Sequence, residues 1–165
     1  ARINNSGEMV LYEEQNEQLW NKELIHKGEY YLNNSAGGNQ ISTYHLEAAI
    51  AYWHTHKQDT QEKWENILQL YNKLLQVNYS PIAALNRTYA LAKAKGSDVA
   101  IPEAKKLNLQ QNLQYHILLS YLYATVDVKI AIEYLQNAEN LAKREGDKIH
   151  LAKLKLRYLN LNAEK

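Results

Sequence analysis

Residues 115–138 carry the strongest structural signal in this chain, and they read YHILLSYLYATVDVKIAIEYLQNA. Large side chains recur here at helical spacing, and small ones join them after a turn at Asp127. The large positions are Tyr115, Leu118, Leu122 and Leu135, and the small ones are Ala131 and Ala138. Because alternating large and small residues let two helices interdigitate, the stretch predicts two helices packed against each other.

A weaker copy of this pattern lies upstream. Leu85 and Tyr89 stand 34 residues before Leu119 and Tyr123, and about 34 residues is the length of a tetratricopeptide unit. The match is incomplete, because Leu119 occupies the usual glycine position and Lys143 the closing proline. We therefore predict an all-α fold of stacked antiparallel helical hairpins, arranged as a tetratricopeptide-like (TPR-like) right-handed superhelix.

Capping residues and helical spacing divide the rest of the chain. Residues 1–12 are expected to form an extended lead-in with a short strand at Met9–Tyr12, and residues 13–165 a single all-helical TPR-like domain. Eight helices are predicted. Three of them are given by their starts, at Ser42 or Thr43, at a capping box of Asp59 and Glu62, and at Val128. The other five have both ends: Glu13 to about Leu32, Ser80-Pro81 to Gly96, Pro102 to Leu107, Leu113 to Val126, and Gly146-Asp147 to Asn162.

The last predicted helix has two apolar stripes, although the end helix of a solenoid should be polar outside. The first stripe is Ile149, Ala152, Leu156 and Leu159, and the second is Leu151, Leu154, Tyr158 and Leu161. Two interpretations stay open: the second stripe packs back on the first helices of the chain, or it is a docking surface.

Composition narrows the class of protein. With 165 residues, 45% apolar, and a net charge of +1, the chain is typical of a soluble globular domain with one core. The absence of cysteine excludes disulfides, thiolate metal sites and cysteine nucleophiles. No stretch approaches the roughly 18 apolar residues of a membrane span, and no signal-peptide core precedes the first helix. We expect a cytoplasmic location and no membrane partner.

Catalytic motifs are missing from the sequence. His54 and His56 are the closest histidine pair, but on a helix they diverge by about 200° and cannot share a metal ion. Paired carboxylates such as Glu62 and Glu65 lie at predicted helix starts, where the helix dipole favours them. The sequence has no phosphate-binding glycine loop, nucleophile elbow or dinucleotide fingerprint. We therefore predict no enzyme activity, no cofactor and no metal.

Charge is unevenly distributed along the chain. Residues 1–66 hold five Lys and Arg against ten Asp and Glu, and the remainder holds fourteen against eight. The excess of cations is greatest in the C-terminal segment, at Lys143, Arg144, Lys148, Lys153, Lys155 and Arg157. Two interpretations of this distribution stay open: a solvated helix face, or a surface that binds an acidic partner or nucleic acid. Aromatic stacking platforms or a groove-entering helix, which nucleic-acid recognition usually adds, are not evident in the sequence.

Several motifs, taken in order, resemble a known family. They are Glu14–Asn16 with Leu19–Asn21, Tyr44–Ala51 with His54, Trp64 with Ile67, Leu70-Tyr71 and Leu74, and Ser80–Ile82 with Leu85–Arg87. In this order they resemble the helical C-terminal extension of bacterial extracytoplasmic-function (ECF) RNA polymerase sigma factors. The chain departs from that family at Ser42-Thr43, where a Gly-Pro pair is usual, and after Tyr115, where an Arg-Ala pair is missing.

The resemblance implies a regulatory role. A sigma region preceding this sequence would bind core RNA polymerase and promoter DNA, and this domain would modulate initiation by contacting the sigma region or the polymerase. The candidate partner-binding residues are Tyr44, His45, His54, Asn86 and Arg87. Each of them has a structural alternative, as a helix cap or an inter-helix contact. A free-standing TPR-like adaptor or peptide sensor remains the alternative function.

Overall fold

The computed structural model describes residues 15–35 and 42–163, without the side chains of residues 161–163. Within these ranges the chain is helical and has no strand, which confirms the predicted all-α class. A short 3-10 turn at Glu17–Leu19 precedes eight α-helices: α1 Lys22–Ser35, α2 Thr43–Thr55, α3 Gln61–Val77, α4 Pro81–Lys95, α5 Ser97–Lys106, α6 Leu113–Tyr123, α7 Val128–Leu141 and α8 Glu145–Ala163. The predicted lead-in and its strand at Met9–Tyr12 lie outside the described residues.

The chain divides into two compact units, Ala1–Tyr79 and Ser80–Lys165. In the N-terminal unit α2 packs against both α1 and α3. In the C-terminal unit each helix packs against the next along the chain, and α6 also contacts α4. Most of α6 is buried, as its apolar pattern on all sides predicts. The core of the C-terminal unit therefore surrounds α6.

Capping signals placed two helices correctly. Ser42 is the N-cap of α2. Ser80 is the N-cap of α4, and its hydroxyl accepts the Ala83 N–H at 3.1 Å. Helix α4 ends before Gly96, whose φ of +95° is in the left-handed range that favours glycine. Short-range chemistry is sufficient to set these boundaries.

The predicted capping box of α3 is wrong. Thr60, not Asp59, is the N-cap, and its hydroxyl accepts the Lys63 N–H at 3.2 Å. The Asp59 carboxylate instead accepts a hydrogen bond from the indole N–H of Trp64, a side chain that is only 4% exposed. A buried indole N–H needs a hydrogen-bond acceptor, and the Asp59 carboxylate is that acceptor instead of the cap of α3.

The predicted bounds of α5 and α6 also differ from the structure. Helix α5 begins at Ser97 rather than Pro102, so the proline lies inside it. Pro102 lacks the N–H that would bond the carbonyl of Asp98, but Ala100 and Ala104 are fully buried on one face of the helix. Packing of these alanines outweighs the lost bond. Helix α6 ends at Tyr123, before Val126, which is exposed.

The structure shows which stripe of α8 is buried. Leu151 and Tyr158 of the second stripe are 0% and 3% exposed, and α8 packs against α7, where the sequence had suggested the first helices. Ile149, Leu156 and Leu159 of the first stripe are exposed. Leu151 and Tyr158 therefore belong to the core of the C-terminal unit, which contradicts the docking interpretation at these two positions. Leu154 is half-buried, and the side chain of Leu161 lies outside the described residues.

Across the part of the chain that the structure describes, no helix combines the length and the apolar character that crossing a membrane requires.

Candidate functional site

The five predicted contact residues are divided between the two units. Tyr44, His45 and His54 lie on α2, and Asn86 and Arg87 lie on α4. His45 is in the first turn of α2 and His54 in the last, so about 13 Å of helix axis separates them. The structure therefore does not bring His54 together with Tyr44 and His45.

His45 takes part in the N-terminal cap of α2. Its Nδ1 atom lies 2.7 Å from the Ser42 hydroxyl oxygen and accepts the Ser42 backbone N–H at 3.3 Å. Both groups belong to the N-terminus of the helix, where backbone N–H groups lack partners within the helix. The neighbouring Tyr44 is 80% exposed. Of these two side chains, Tyr44 is the one accessible to a partner.

His54 lies between α2 and α3. Its ring meets the indole of Trp64 edge to face, with the ring centroids 5.9 Å apart. Burial lowers the pKa of the His54 imidazole below its ordinary value of 6.5, and the charge of Lys63 lowers it further. The imidazole is therefore neutral at pH 7.

Lys63 is a buried cation next to this histidine. It is 1% exposed, its ammonium donates to the His56 carbonyl at 2.6 Å, and it lies 5.2 Å from the centroid of the Trp64 ring. A buried charge requires such partners, because desolvation without them costs several kcal/mol. Aromatic and cationic groups therefore occupy the space between α2 and α3.

The polar groups of this cluster do not form a metal-ligand set. In residues 15–35 and 42–163, no three His, Cys, Asp or Glu side chains are grouped so that they could hold a metal ion. The contacts that the structure shows for His54, Lys63 and Trp64 are contacts between elements of the same unit. Their arrangement fixes α2 on α3.

In the C-terminal unit, Arg87 points toward α5 and pairs with Glu103 at 3.9 Å. Lys106 donates to the same carboxylate at 2.5 Å. The pKa of Glu103 is lowered mainly by the hydrogen bond from Lys106; desolvation opposes the shift, and the charges of Lys106 and Arg87 add to it. Glu103 is therefore a carboxylate at pH 7, with cations from α4 and α5 beside it.

Asn86 belongs to an accessible stripe on α4. Ile82, Asn86 and Tyr89 follow each other at spacings of four and three residues, which places them on one side of the helix. Ile82 is 67% exposed and Asn86 is exposed. The half-buried Tyr89 ring lies 5.1 Å from that of Tyr121 on α6. We call Ile82, Asn86, Tyr89 and Tyr121 the α4–α6 surface.

Sequence reasoning identified Asn86 on this surface but missed the other members. Helical spacing from Asn86 would have found Ile82 and Tyr89. Tyr121 could not be found in this way, because only the packing of α4 against α6 brings it close. Arg87, adjacent to Asn86 in sequence, faces a different direction because successive helical residues are about 100° apart.

Together these observations define a chain that is helical in its described residues and presents exposed helix surfaces. The chain is similar to a Rhizobium meliloti (strain 1021) protein called "Uncharacterized protein R00370", with 30% identity over 119 residues. That alignment covers 70% of this chain and 28% of the relative, so the chain spans less than a third of the relative's length. No protein-family model and no solved structure matches the chain.

Proposed function

We propose that this chain is a regulatory protein-interaction domain of an ECF-type RNA polymerase sigma factor. In this proposal it contacts the sigma region of the same polypeptide, core RNA polymerase, or both, and thereby modulates transcription initiation in the cytoplasm. Promoter DNA is bound through the sigma region and not through this domain. The domain acts by binding and not by catalysis.

A TPR-like arrangement of the C-terminal unit is part of the proposal. The helix pairs α4–α5 and α6–α7 would be successive hairpins, and Leu85 and Leu119 would be equivalent positions 34 residues apart. Both leucines are buried, at 5% and 0% exposure. Burial at equivalent positions is what repeated hairpins require, because each unit covers its apolar face with its neighbour.

The α4–α6 surface is the observation that carries the binding role. It combines an exposed aliphatic side chain, an exposed amide and two adjacent tyrosines on two packed helices. Rigid aromatic groups next to polar groups are typical of the few residues that dominate the affinity of a protein interface. The motif order described above supports the sigma-factor context, and the much longer relative agrees with a domain that is part of a larger protein.

The proposal is tested by transcription from the cognate promoter with core RNA polymerase and the full-length sigma factor. Removal of the domain is expected to change initiation. Asn86→Ala is expected to weaken the domain's contact by more than about 1 kcal/mol, roughly fivefold in affinity. Asn140→Ala is the matched control, because Asn140 is also an exposed helical asparagine but lies on α7. Unchanged initiation with and without the domain would refute the proposal.

A free-standing TPR-like adaptor is the second candidate, because the α4–α6 surface would suit a peptide in any context. Reading the gene upstream of Ala1 distinguishes the two. Sigma-type helices encoded there support the first function, and a start codon next to Ala1 supports the second. Binding of the domain to its own sigma region, measured in a tethered fusion as well as with separate parts, provides the biochemical counterpart.

A further inference from the structure

The exposed stripe of α8 has the spacing of a coiled-coil contact. Ile149, Ala152, Leu156 and Leu159 are separated by three, four and three residues, which are the a and d positions of a heptad repeat. We call these four residues the α8 seam. An a/d stripe on one side of a helix is the pattern that packs against a second helix.

The α8 seam is exposed, while the opposite face of the same helix is anchored. Ile149, Leu156 and Leu159 are 37%, 63% and 46% exposed, and Ala152 is exposed as well. On the other side, Leu151 and Tyr158 are buried in the C-terminal unit. Helix α8 is therefore held in place by one face and presents the other in a fixed orientation.

Lysines flank the seam on both sides. In the same heptad numbering, Lys148 and Lys155 occupy g positions and Lys153 an e position. Lys148 pairs with Glu145 at 3.5 Å and Lys155 with Glu139 at 3.4 Å. The exposed Lys148–Glu145 pair contributes about 0–1 kcal/mol, so Lys148 can turn to a stronger acidic partner at little cost. The half-buried Lys155 also holds α8 against α7 through Glu139.

We infer that the α8 seam binds an acidic amphipathic helix of another protein. That helix would place apolar residues at its a and d positions and Glu or Asp at e and g, opposite the lysines. Residues at e and g set the choice of partner in coiled coils, because opposite charges attract and like charges repel. A second copy of α8 is disfavoured for this reason, since its own lysines would meet those of the first copy.

The inference rests on α8 alone and does not depend on the proposed function. The α4–α6 surface lies on different helices, so variants of one surface leave the other intact. Loss of binding at the α8 seam would say nothing about transcription, and an unchanged transcription assay would say nothing about the seam.

The test uses a synthetic helical peptide of about three heptads, with Ile at a, Leu at d and Glu at e and g. A second peptide, identical except for Lys at e and g, serves as the control probe. Binding of each fluorescently labelled peptide to the 165-residue chain is measured by anisotropy. We expect the Glu peptide to bind at least about tenfold more tightly than the Lys peptide, a difference of about 1.4 kcal/mol.

Two variants of the chain locate the binding to the seam. Leu156→Asp puts a charge at the centre of the seam and is expected to abolish binding; because Leu156 is 63% exposed, the helix content and melting temperature should not change. Lys153→Glu changes an e position and is expected to reduce the preference for the Glu peptide. Arg157→Glu is the matched control, since it changes charge equally at a b position away from the seam.

Several results would overturn the inference. Equal affinity for the two peptides, or equal effects of Lys153→Glu and Arg157→Glu, would show that the heptad charges do not select the partner. Self-association of the chain that Leu156→Asp abolishes would identify a second copy as the occupant. Binding to vesicles of phosphatidylserine and phosphatidylcholine that Leu156→Asp abolishes would identify a membrane surface.

Discussion

Helix pair α6–α7 and helix pair α2–α3 are packed by different chemistry. The fully buried side chains of α6 and α7 are mostly apolar and include Leu119, Leu122, Ala131, Leu135 and Ala138. Where the two helices meet, the buried His116 ring of α6 lies 6.0 Å from the Tyr134 ring of α7. Between α2 and α3, aliphatic residues such as Ile50 and Ile67 share the space with Trp64, His54 and the buried Lys63. The first pair is therefore packed mainly by apolar side chains with one buried imidazole, and the second pair also contains a buried cation with its hydrogen-bond and aromatic partners.

This difference has a consequence for stability. Apolar packing loses stability in proportion to the volume removed, and it responds little to pH. A buried cation beside a neutral histidine depends on particular hydrogen bonds and on protonation state. The two pairs should therefore respond differently to truncation and to loss of charge.

The largest effect is expected from Leu135→Ala on α7. Leu135 is 0% exposed, and removing such a side chain costs about 2–5 kcal/mol, because a cavity remains in addition to the lost burial. Urea unfolding followed by far-UV circular dichroism measures the loss. Leu156→Ala, at an exposed leucine, is the control and should change stability by less than about 0.5 kcal/mol. Similar costs at the two leucines would contradict the burial of Leu135 between the helices of the C-terminal unit.

Lys63→Met should destabilise the N-terminal unit by about 1–3 kcal/mol. Methionine keeps most of the side-chain volume, but the donor to the His56 carbonyl and the cation beside Trp64 are lost. Tryptophan fluorescence is the appropriate probe, because Trp64 lies next to the changed group. Lys73→Met, at an exposed lysine of the same helix, is the control. A gain in stability would mean that desolvation of Lys63 outweighs its contacts.

A smaller effect is expected from acid. Burial and the charge of Lys63 lower the pKa of His54 in the folded chain, whereas in the unfolded chain it is near 6.5. Between these two pKa values the unfolded chain therefore binds more protons than the folded chain. The stability that the neutral His54 contributes to the folded chain is complete above pH 6.5 and falls as the pH decreases below it.

His54→Gln should remove this part of the pH dependence, so that the variant loses less stability than the wild type between pH 7 and pH 5. Urea midpoints at the two pH values test it. His26→Gln changes a histidine whose side chain is 76% exposed, and it should retain the wild-type difference. The prediction fails if the His54 and His26 variants behave alike.

The smallest effect is expected at Arg87. The Arg87–Glu103 pair is partly exposed and 3.9 Å long, so its coupling in a double-mutant cycle of Arg87→Met and Glu103→Gln should not exceed about 1 kcal/mol. The same variants tested for binding to the sigma region separate two roles. A change in partner affinity with unchanged melting temperature would support a binding role for Arg87, and unchanged affinity would leave it as a contact between α4 and α5.

The fold was more predictable than the candidate site. Local signals placed the starts of α2 and α4 and the end of α4, because Ser42, Ser80-Pro81 and Gly96 act on the backbone within a few residues. The predicted cap of α3 was wrong because the Asp59 carboxylate accepts a hydrogen bond from the indole N–H of Trp64. Capping rules do not include such a side-chain contact. The predicted start of α5 was wrong because burial of Ala100 and Ala104 stabilises the helix by more than Pro102, which normally marks a helix start, destabilises it.

Helical periodicity and composition were sufficient to predict the all-α class that the described residues show and the burial of α6, because both follow from the pattern of apolar residues along the backbone. Tertiary structure alone decided which stripe of α8 is buried. It also decided that the Arg87 side chain faces α5 and that Tyr121 lies beside Tyr89. These outcomes depend on which helix lies next to which. Two equally apolar stripes are equivalent in sequence until a neighbouring helix covers one of them.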